Sequence, residues 1–416
     1  MASTARMVTL GTGQIPATAM SIVLLAILAV AFVCFPLLFL LGACVLALTT
    51  LNTHFRWLLL LASSLLFVVL NISKQLEGDL VTYVALQEYV ANQPFSILFR
   101  NQELLVILGS YRVSEIGFYA PLWLLSKIFR NGQIELAVAA TLGIYVPVFF
   151  ALTRIARREG WSDAQLVTVI FFAFFASINF VQTTHLVRQY ISSSVALLAL
   201  TFFMDGRRGI ALLLAGVAVS IHNATGLLVA NVVLVMTLFP FEKMRPYGLF
   251  GWGWRLGATG IAIGASLVLV SIQQIQHLLS PEGNIYAWHY LLIGGFFVAA
   301  QIVGKLRRTR PRSQYYMSLA FFVVFFLSLG FFVIGVRLLA LRYFSYLEWL
   351  LALIFAGMLV VLPRNYLAWQ TLTRLAVAAF GTGILLMRID RSPWNYGDGA
   401  LDIFTRHLPY VASILG

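Results

Sequence analysis

The sequence is short of charge. Asp, Glu, Lys and Arg make up 10% of its 416 residues, while 61% are hydrophobic and the mean hydropathy is +0.90. A soluble domain carries about 25% charged residues, so a soluble globular protein is excluded. Disorder is excluded as well, because it needs low hydrophobicity and high charge. Cysteine is nearly missing. Cys34 and Cys44 share one apolar stretch, and two thiols build neither a disulfide framework nor a metal site. The sequence has no Walker loop, which leaves ATP-driven transport without support. It has no H-E-x-x-H and no G-x-S-x-G, so zinc or serine hydrolysis has no basis. It has no Asp-x-Asp pair to hold a nucleotide-sugar diphosphate through a metal. No metal and no cofactor is expected.

Apolar sequence is abundant. Twelve runs recur, at 19–51, 57–72, 136–152, 166–181, 189–204, 210–221, 224–239, 256–272, 286–303, 315–335, 344–362 and 372–387. A spanning helix needs about 20 apolar residues. The first run is long enough for one tilted helix or for two short ones broken at Pro36. The pattern predicts an all-α polytopic membrane protein with 12 or 13 transmembrane helices, residues 1–416 forming one integral membrane domain.

The formal net charge is +13. Nucleic acid is not the expected partner, since cytoplasmic loops of membrane proteins are themselves rich in Lys and Arg. The loops 154–163, 205–208, 240–255, 304–314 and 363–368 hold 14 Lys/Arg in 47 residues. The alternate set, 73–133, 182–188, 273–285, 336–343 and 388–416, holds 11 in 118 residues. The first set is therefore cytoplasmic. This orientation works only if 116–129 does not cross. Residues 73–133 then form one long external loop, with 118–129 as an interfacial (amphipathic) or re-entrant helix.

Of the 28 cations, 24 are Arg. Arg holds carboxylate and phosphate in fork geometry better than Lys does, although GC-rich coding would produce the same excess. Polar groups at membrane depth are costly and tend to mark function. At the external helix ends stand Lys74, Glu77, Asp79, Glu88, Glu103, Arg112 and Glu115, then His185 and Arg188, His222, Arg337 and Arg342, and in the tail His407. His185, Arg188, Gln189 and Ser192 recur at helical spacing and share a face. Each has a plain structural reading, as an interface anchor or a satisfied polar group. Together they describe an Arg-rich external cavity facing a carboxylate-bearing loop. Such a cavity suits group transfer from an anionic, membrane-held donor: Arg stabilises the leaving charge, and a carboxylate such as Asp79 or Glu115 takes the proton of an acceptor hydroxyl.

Several motifs occur in order: Gly78-Asp79-Leu80-Val81-Thr82-Tyr83 after Lys74, then Glu115-Ile116-Gly117-Phe118-Tyr119, Arg188-Gln189, Ser220-Ile221-His222-Asn223 and Arg342-Tyr343-Phe344. Over residues 56–362 this order resembles the EpsG-like branch of the Wzy-type polysaccharide polymerases. Ile116 stands where that family has proline, and Ile221 where it has an aromatic. The resemblance implies a GT-C-like glycosyltransferase of the bacterial inner membrane with its active site facing the periplasm. It would join undecaprenyl-pyrophosphate-linked oligosaccharides into exopolysaccharide or O-antigen, among membrane lipids and with a chain-length regulator as a further partner. Asp79 or Glu115 would be the base. Arg188, Arg337, Arg342 and Lys74 would hold the donor pyrophosphate, and Tyr83, His185, Gln189 and His222 would orient substrate. Two other readings stay open. One is a GT-C enzyme using a polyprenyl-phosphate sugar. The other is a flippase for lipid-linked oligosaccharides, for which a mid-span charge such as Glu348 would argue.

Overall fold

A computed structural model describes residues 28–49, 55–75, 79–99, 115–129, 131–222, 224–238, 312–335, 367–391 and 400–406, together with single positions elsewhere, most of them within 286–298 and 337–350. Glu77, Glu103, Arg112, Glu348, His407 and most of the 256–272 run lie outside the described residues, as do the side chain of Asp79 and most of the basic 304–314 loop.

The described elements are helices, with no strand among them. They are α1 (Pro36–Thr49), α2 (Phe55–Ile72), α3 (Asp79–Ala91), α4 (Ile116–Ser126), α5 (Gly132–Glu159), α6 (Asp163–Phe172), α7 (Val187–Met204), α8 (Arg208–Ile221), α9 (Ala224–Leu238), α10 (Arg312–Val333), α11 (Leu367–Arg391) and α12 (Ala400–Thr405). Among the described residues, five stretches are long and apolar enough to cross a membrane: Phe55–Ile72, Gly132–Glu159, Val187–Met204, Tyr315–Val333 and Thr371–Asp390. The described residues form an all-α protein whose apolar helices embed it in a membrane. Shorter apolar helices such as α8 accompany these five. Several of the apolar runs behind the expected 12 or 13 crossings lie outside the described residues.

The first apolar run is helical over 28–34 and again from Pro36. Backbone bonds continue across the break, from Phe35 N to Ala31 O (2.9 Å) and from Phe39 N to Phe35 O (2.8 Å). Pro36, which has no N–H to donate, therefore interrupts the helix over 28–49 without ending its backbone hydrogen bonding. At 28 residues α5 is about 42 Å long, more than the roughly 30 Å of hydrocarbon. Its ends are fixed locally. The Asn131 side chain accepts from Gln133 N and Ile134 N, and Gly160, at φ 65°, ends the helix. Ser162 and Gln165 then form a reciprocal capping box that starts α6.

Aromatic packing joins α2 and α5 to the segment that follows α6. Phe67 stacks on Tyr145 at 4.5 Å between ring centres and also meets Phe175 and Phe180. Where backbones come close, glycine allows it: a Cβ on Gly143 of α5 would sit 3.0 Å from Ile191 of α7, and one on Gly381 of α11 would sit 2.9 Å from Phe171 of α6.

The ends of these helices segregate into two groups. The start of α2, the end of α5, the start of α6 and the end of α7 share one end of the bundle. There Arg56 pairs with Asp163 (3.4 Å), while Arg154 and Arg158 both pair with Asp205. The end of α2, the start of α5, the start of α7 and the end of α8 share the opposite end. The helices α3 and α4 lie here side by side, joined by Gln87 Nε2 donating to Leu122 O (2.7 Å) and Lys127 Nζ to Ala91 O (2.8 Å). With 11 residues, α4 is about 16 Å long, too short to cross. It is apolar round its circumference, and Leu124 and the following Ile128 and Phe129 are exposed.

Candidate functional site

The site begins with a close approach. A Cβ on Gly117 would lie 2.2 Å from Ser220 Oγ and 2.9 Å from the Ser220 backbone carbon. Only a glycine lets the first turn of α4 meet the last turn of α8 this closely. That contact brings Glu115, just before α4, to His222, just after α8. Glu115 does not cap its own helix with its side chain, which reaches into the bundle instead. Its Oε1 lies 2.8 Å from His222 Nδ1, and its Oε2 accepts from Arg188 Nη1. Arg188, in the first turn of α7, also donates from Nε to the Tyr83 hydroxyl (2.9 Å). Tyr83 in turn meets Phe118 edge-on. Thus α3, α4, α7 and the end of α8 hold one buried polar cluster, its three charged or titratable side chains 6–12% exposed.

The partners settle the proton positions. Arg188 is permanently charged, so the carboxylate beside it is ionised and only accepts. His222 must then donate Nδ1–H to Glu115, which leaves Nε2 as the lone-pair nitrogen. Burial holds His222 below the usual imidazole range, with the hydrogen bond and charge of Glu115 opposing that shift. A neutral imidazole oriented by a carboxylate has the form of a general base. Reading the residue types alone makes Asp79 or Glu115 the base and His222 an orienting group; in the structure Glu115 is the partner of both Arg188 and His222.

Behind the ion pair lies a second, uncharged layer. Gln189 donates from Nε2 to Arg342 O. Ser192 Oγ donates to Ala218 O (2.6 Å) and lies 2.7 Å from Thr225 Oγ1, which is 2.8 Å from the Tyr346 hydroxyl. These contacts tie α7, α8 and α9 to Arg342 and Tyr346. Arg342 is half-buried and close enough for its charge to bear on His222. Three helix N-termini, those of α4, α7 and α9, meet here and present partial positive charge, beside the C-terminus of α8, which presents partial negative charge.

Other candidate residues fall elsewhere. Lys74 is buried, and its Nζ donates to Phe180 O (2.9 Å), Val181 O (3.2 Å) and Thr184 Oγ1 (3.1 Å), 4.2 Å over the Phe180 ring. Burial pushes its pKa well below the usual lysine range. With three donors occupied, Lys74 ties the end of α2 to the segment before α7 and is not placed to hold a phosphate. Arg337 is exposed and is not among the contacts that join the cluster. His185 is buried in the turn before α7. Asp79 opens α3 one turn before Tyr83, and its side chain lies outside the described residues. The residue types alone miss Gly117, Thr225 and Tyr346. The tight Glu-x-Gly spacing is a signal for the first, but nothing distinguishes the other two from ordinary members of apolar runs. Among the described residues, no group of three His, Cys, Asp or Glu side chains could hold a metal.

The chain matches no family model, no curated protein and no solved structure.

Proposed function

We propose that this chain is a Wzy-type polymerase with a GT-C-like plan, joining polyprenyl-pyrophosphate-linked oligosaccharides at the external face of a bacterial inner membrane. The observation that carries the reading is the buried cluster. One carboxylate–imidazole pair is set among Arg188, Arg342 and three helix N-termini, at the end of the bundle opposite the Asp205 pairs. The density of Lys and Arg in the loops supports reading that opposite end as cytoplasmic. With Glu115 balancing Arg188, the charge of Arg342 and the helix N-termini support a phosphorylated substrate, and the lipid anchor of that substrate suits a membrane-embedded chain.

In this mechanism, His222 Nε2 takes the proton of an acceptor sugar hydroxyl, and the imidazolium formed is stabilised by Glu115. The acceptor oxygen bonds to the anomeric carbon of the donor glycan as the bond from that carbon to the phosphate oxygen breaks. The polyprenyl pyrophosphate leaves with the bonding pair, its charge met by Arg342 and the helix N-termini. Arg188, with Nε and Nη1 engaged within the protein, fixes Glu115, so it acts on the substrate chiefly by positioning. Asp79 remains a second candidate base.

Deleting the gene in a strain without a redundant polymerase tests the reading. Single repeat units are expected to accumulate on the carrier lipid with long glycan lost; persistence of long chains would sink it. Transfer of one sugar from a polyprenyl monophosphate by the purified protein would favour the other glycosyltransferase reading. Movement of lipid-linked units without growth of the glycan would favour a flippase.

A further inference from the structure

Three serines stand in succession on α7, Ser192, Ser193 and Ser194, and all are buried. Two of them satisfy their hydroxyls within the helix. Ser193 Oγ donates to Gln189 O, and Ser194 Oγ to Tyr190 O (2.7 Å). A buried helical serine has such an acceptor at hand one turn back. Ser192 donates across the helix interface instead, to Ala218 O of α8 (2.6 Å). A carbonyl only accepts, so the Ser192 proton is fixed there. Thr225 Oγ1, 2.7 Å from Ser192 Oγ, must then donate to Ser192. The Tyr346 hydroxyl, 2.8 Å from Thr225 Oγ1, must in turn donate to Thr225. Three hydroxyl protons thus point one way and end on a backbone carbonyl.

That carbonyl also accepts the backbone N–H of His222 (3.1 Å), which follows α8 in an extended conformation (φ −151°, ψ 110°). The His222 carbonyl accepts from Thr225 N (3.0 Å). The hydrogen bonds close into a ring. His222 N–H and the Ser192 hydroxyl meet on Ala218 O, the Thr225 hydroxyl reaches Ser192, and Thr225 N–H returns to the His222 carbonyl. Both backbone polar groups of His222 belong to it. Ser192 lies one turn after Arg188, so α7 holds His222 twice. Arg188 fixes the imidazole at Nδ1 through Glu115, and Ser192 fixes the backbone that carries the imidazole. Because the hydroxyl chain ends on a carbonyl, it moves no proton to or from the imidazole; what it supplies is position. A misplacement of about 1 Å can slow a reaction on the order of a hundredfold. We infer that Ser192 and Thr225 are positioning residues for His222, setting where its Nε2 lone pair points. The inference rests on the polymerase reading only for what that lone pair does to a substrate.

Purified full-length protein in nanodiscs, made with isotope-labelled histidine, reports the His222 ring by nuclear magnetic resonance, its signals being those lost in His222→Gln. Ser192→Ala and Thr225→Val each open the hydrogen-bonded ring and are each expected to shift or split the His222 ring signals. Both are expected to lower kcat for glycan lengthening about tenfold or more, with KM kept. Thr225→Ser, which returns the hydroxyl, is expected to restore signals and rate. Ser194→Ala removes an equally buried hydroxyl from the same helix and is expected to change neither. In the wild type, hydrogen exchange at the His222 and Thr225 amides is expected to be as slow as in the middle of α7. Wild-type ring signals in either Ser192→Ala or Thr225→Val would overturn the inference. So would an equal change from Ser194→Ala, or no recovery in Thr225→Ser. Exchange at those two amides as fast as at a frayed helix end would overturn it whether or not the variants fold. Ring signals and exchange are read without sugar transfer. A protein that shows them as expected but never lengthens glycan would refute the polymerase reading and leave the positioning role standing. One that lengthens glycan with ring signals indifferent to Ser192 and Thr225 would do the opposite.

Discussion

The two ends of the bundle use the same ion-pair chemistry in different surroundings. At the basic end, Arg56, Arg154 and Arg158 pair with Asp163 and Asp205, and these side chains keep 20–37% of their surface exposed. At the other end Glu115 pairs with Arg188 and His222 at 6–12% exposure. Exposed pairs contribute about 0–1 kcal/mol. They need little support, and the sign of the surrounding loops accounts for their place. A buried pair carries a desolvation cost that its attraction only partly repays, so stability alone is a poor reason for it. The contrast teaches that the paired charges fall into two groups. One is spread, solvated and read by the membrane. The other is gathered, desolvated and held in a fixed geometry fit for chemistry.

The strongest way to break the contrast is Glu115→Ala. It leaves Arg188 buried without its carboxylate, a loss of about 3–5 kcal/mol, and denaturation in detergent should show it together with loss of polymer. Next in effect is His222→Gln, which keeps a polar side chain but removes the proposed base. A drop in transfer rate of about a hundredfold or more is expected with little change in melting, and an equal loss of fold would refute the assignment. Gly117→Val comes third. Its side chain meets Ser220, so α4 must withdraw from α8 at a cost of about 1–3 kcal/mol, and Glu115 is uncoupled from His222. Spectra of a labelled His222 ring should then report the loss of the Nδ1 hydrogen bond. Asp205→Asn, at the basic end, should change stability by no more than about 1 kcal/mol, fading with added salt, and leave transfer intact.

The pH response sharpens the same contrast. Burial lowers the pKa of folded His222 relative to about 6.5 in the unfolded chain. The unfolded state therefore binds the extra proton first. The stability linked to His222 is fully present above about pH 6.5 and is lost as pH falls through the folded value. Activity should hold below pH 6.5 and then fall along an acid limb that is missing from His222→Gln.

Much of the plan is legible in residue types. Hydrophobic runs of the right length announce helices, and the excess of Arg in alternate loops separates the two ends. Tyr83, Glu115, Arg188, Gln189 and His222, far apart in the chain, stand out as polar groups at apolar helix ends, and the structure brings all five together. What stays hidden is partner choice. Whether Glu115 accepts from an acceptor sugar or from His222 depends on α4 meeting α8 across Gly117, a contact between residues about 100 apart. Lys74 looks like a free cation because its acceptors, the carbonyls of Phe180 and Val181 and the Thr184 hydroxyl, carry no signature in the sequence. Tyr346 and Thr225 are hidden for a related reason: hydroxyls in apolar runs reveal a network only once the helices are assembled.

The central claim is that the buried end does the chemistry and the exposed end does not. Purified wild type, His222→Gln and Asp205→Asn, each supplied with a polyprenyl-pyrophosphate-linked oligosaccharide in nanodiscs, put it to the test. A ladder of lengthened glycans from wild type and Asp205→Asn, with single units alone from His222→Gln, is the predicted result. An undiminished ladder from His222→Gln, or no ladder from any of the three while all remain folded, would contradict it.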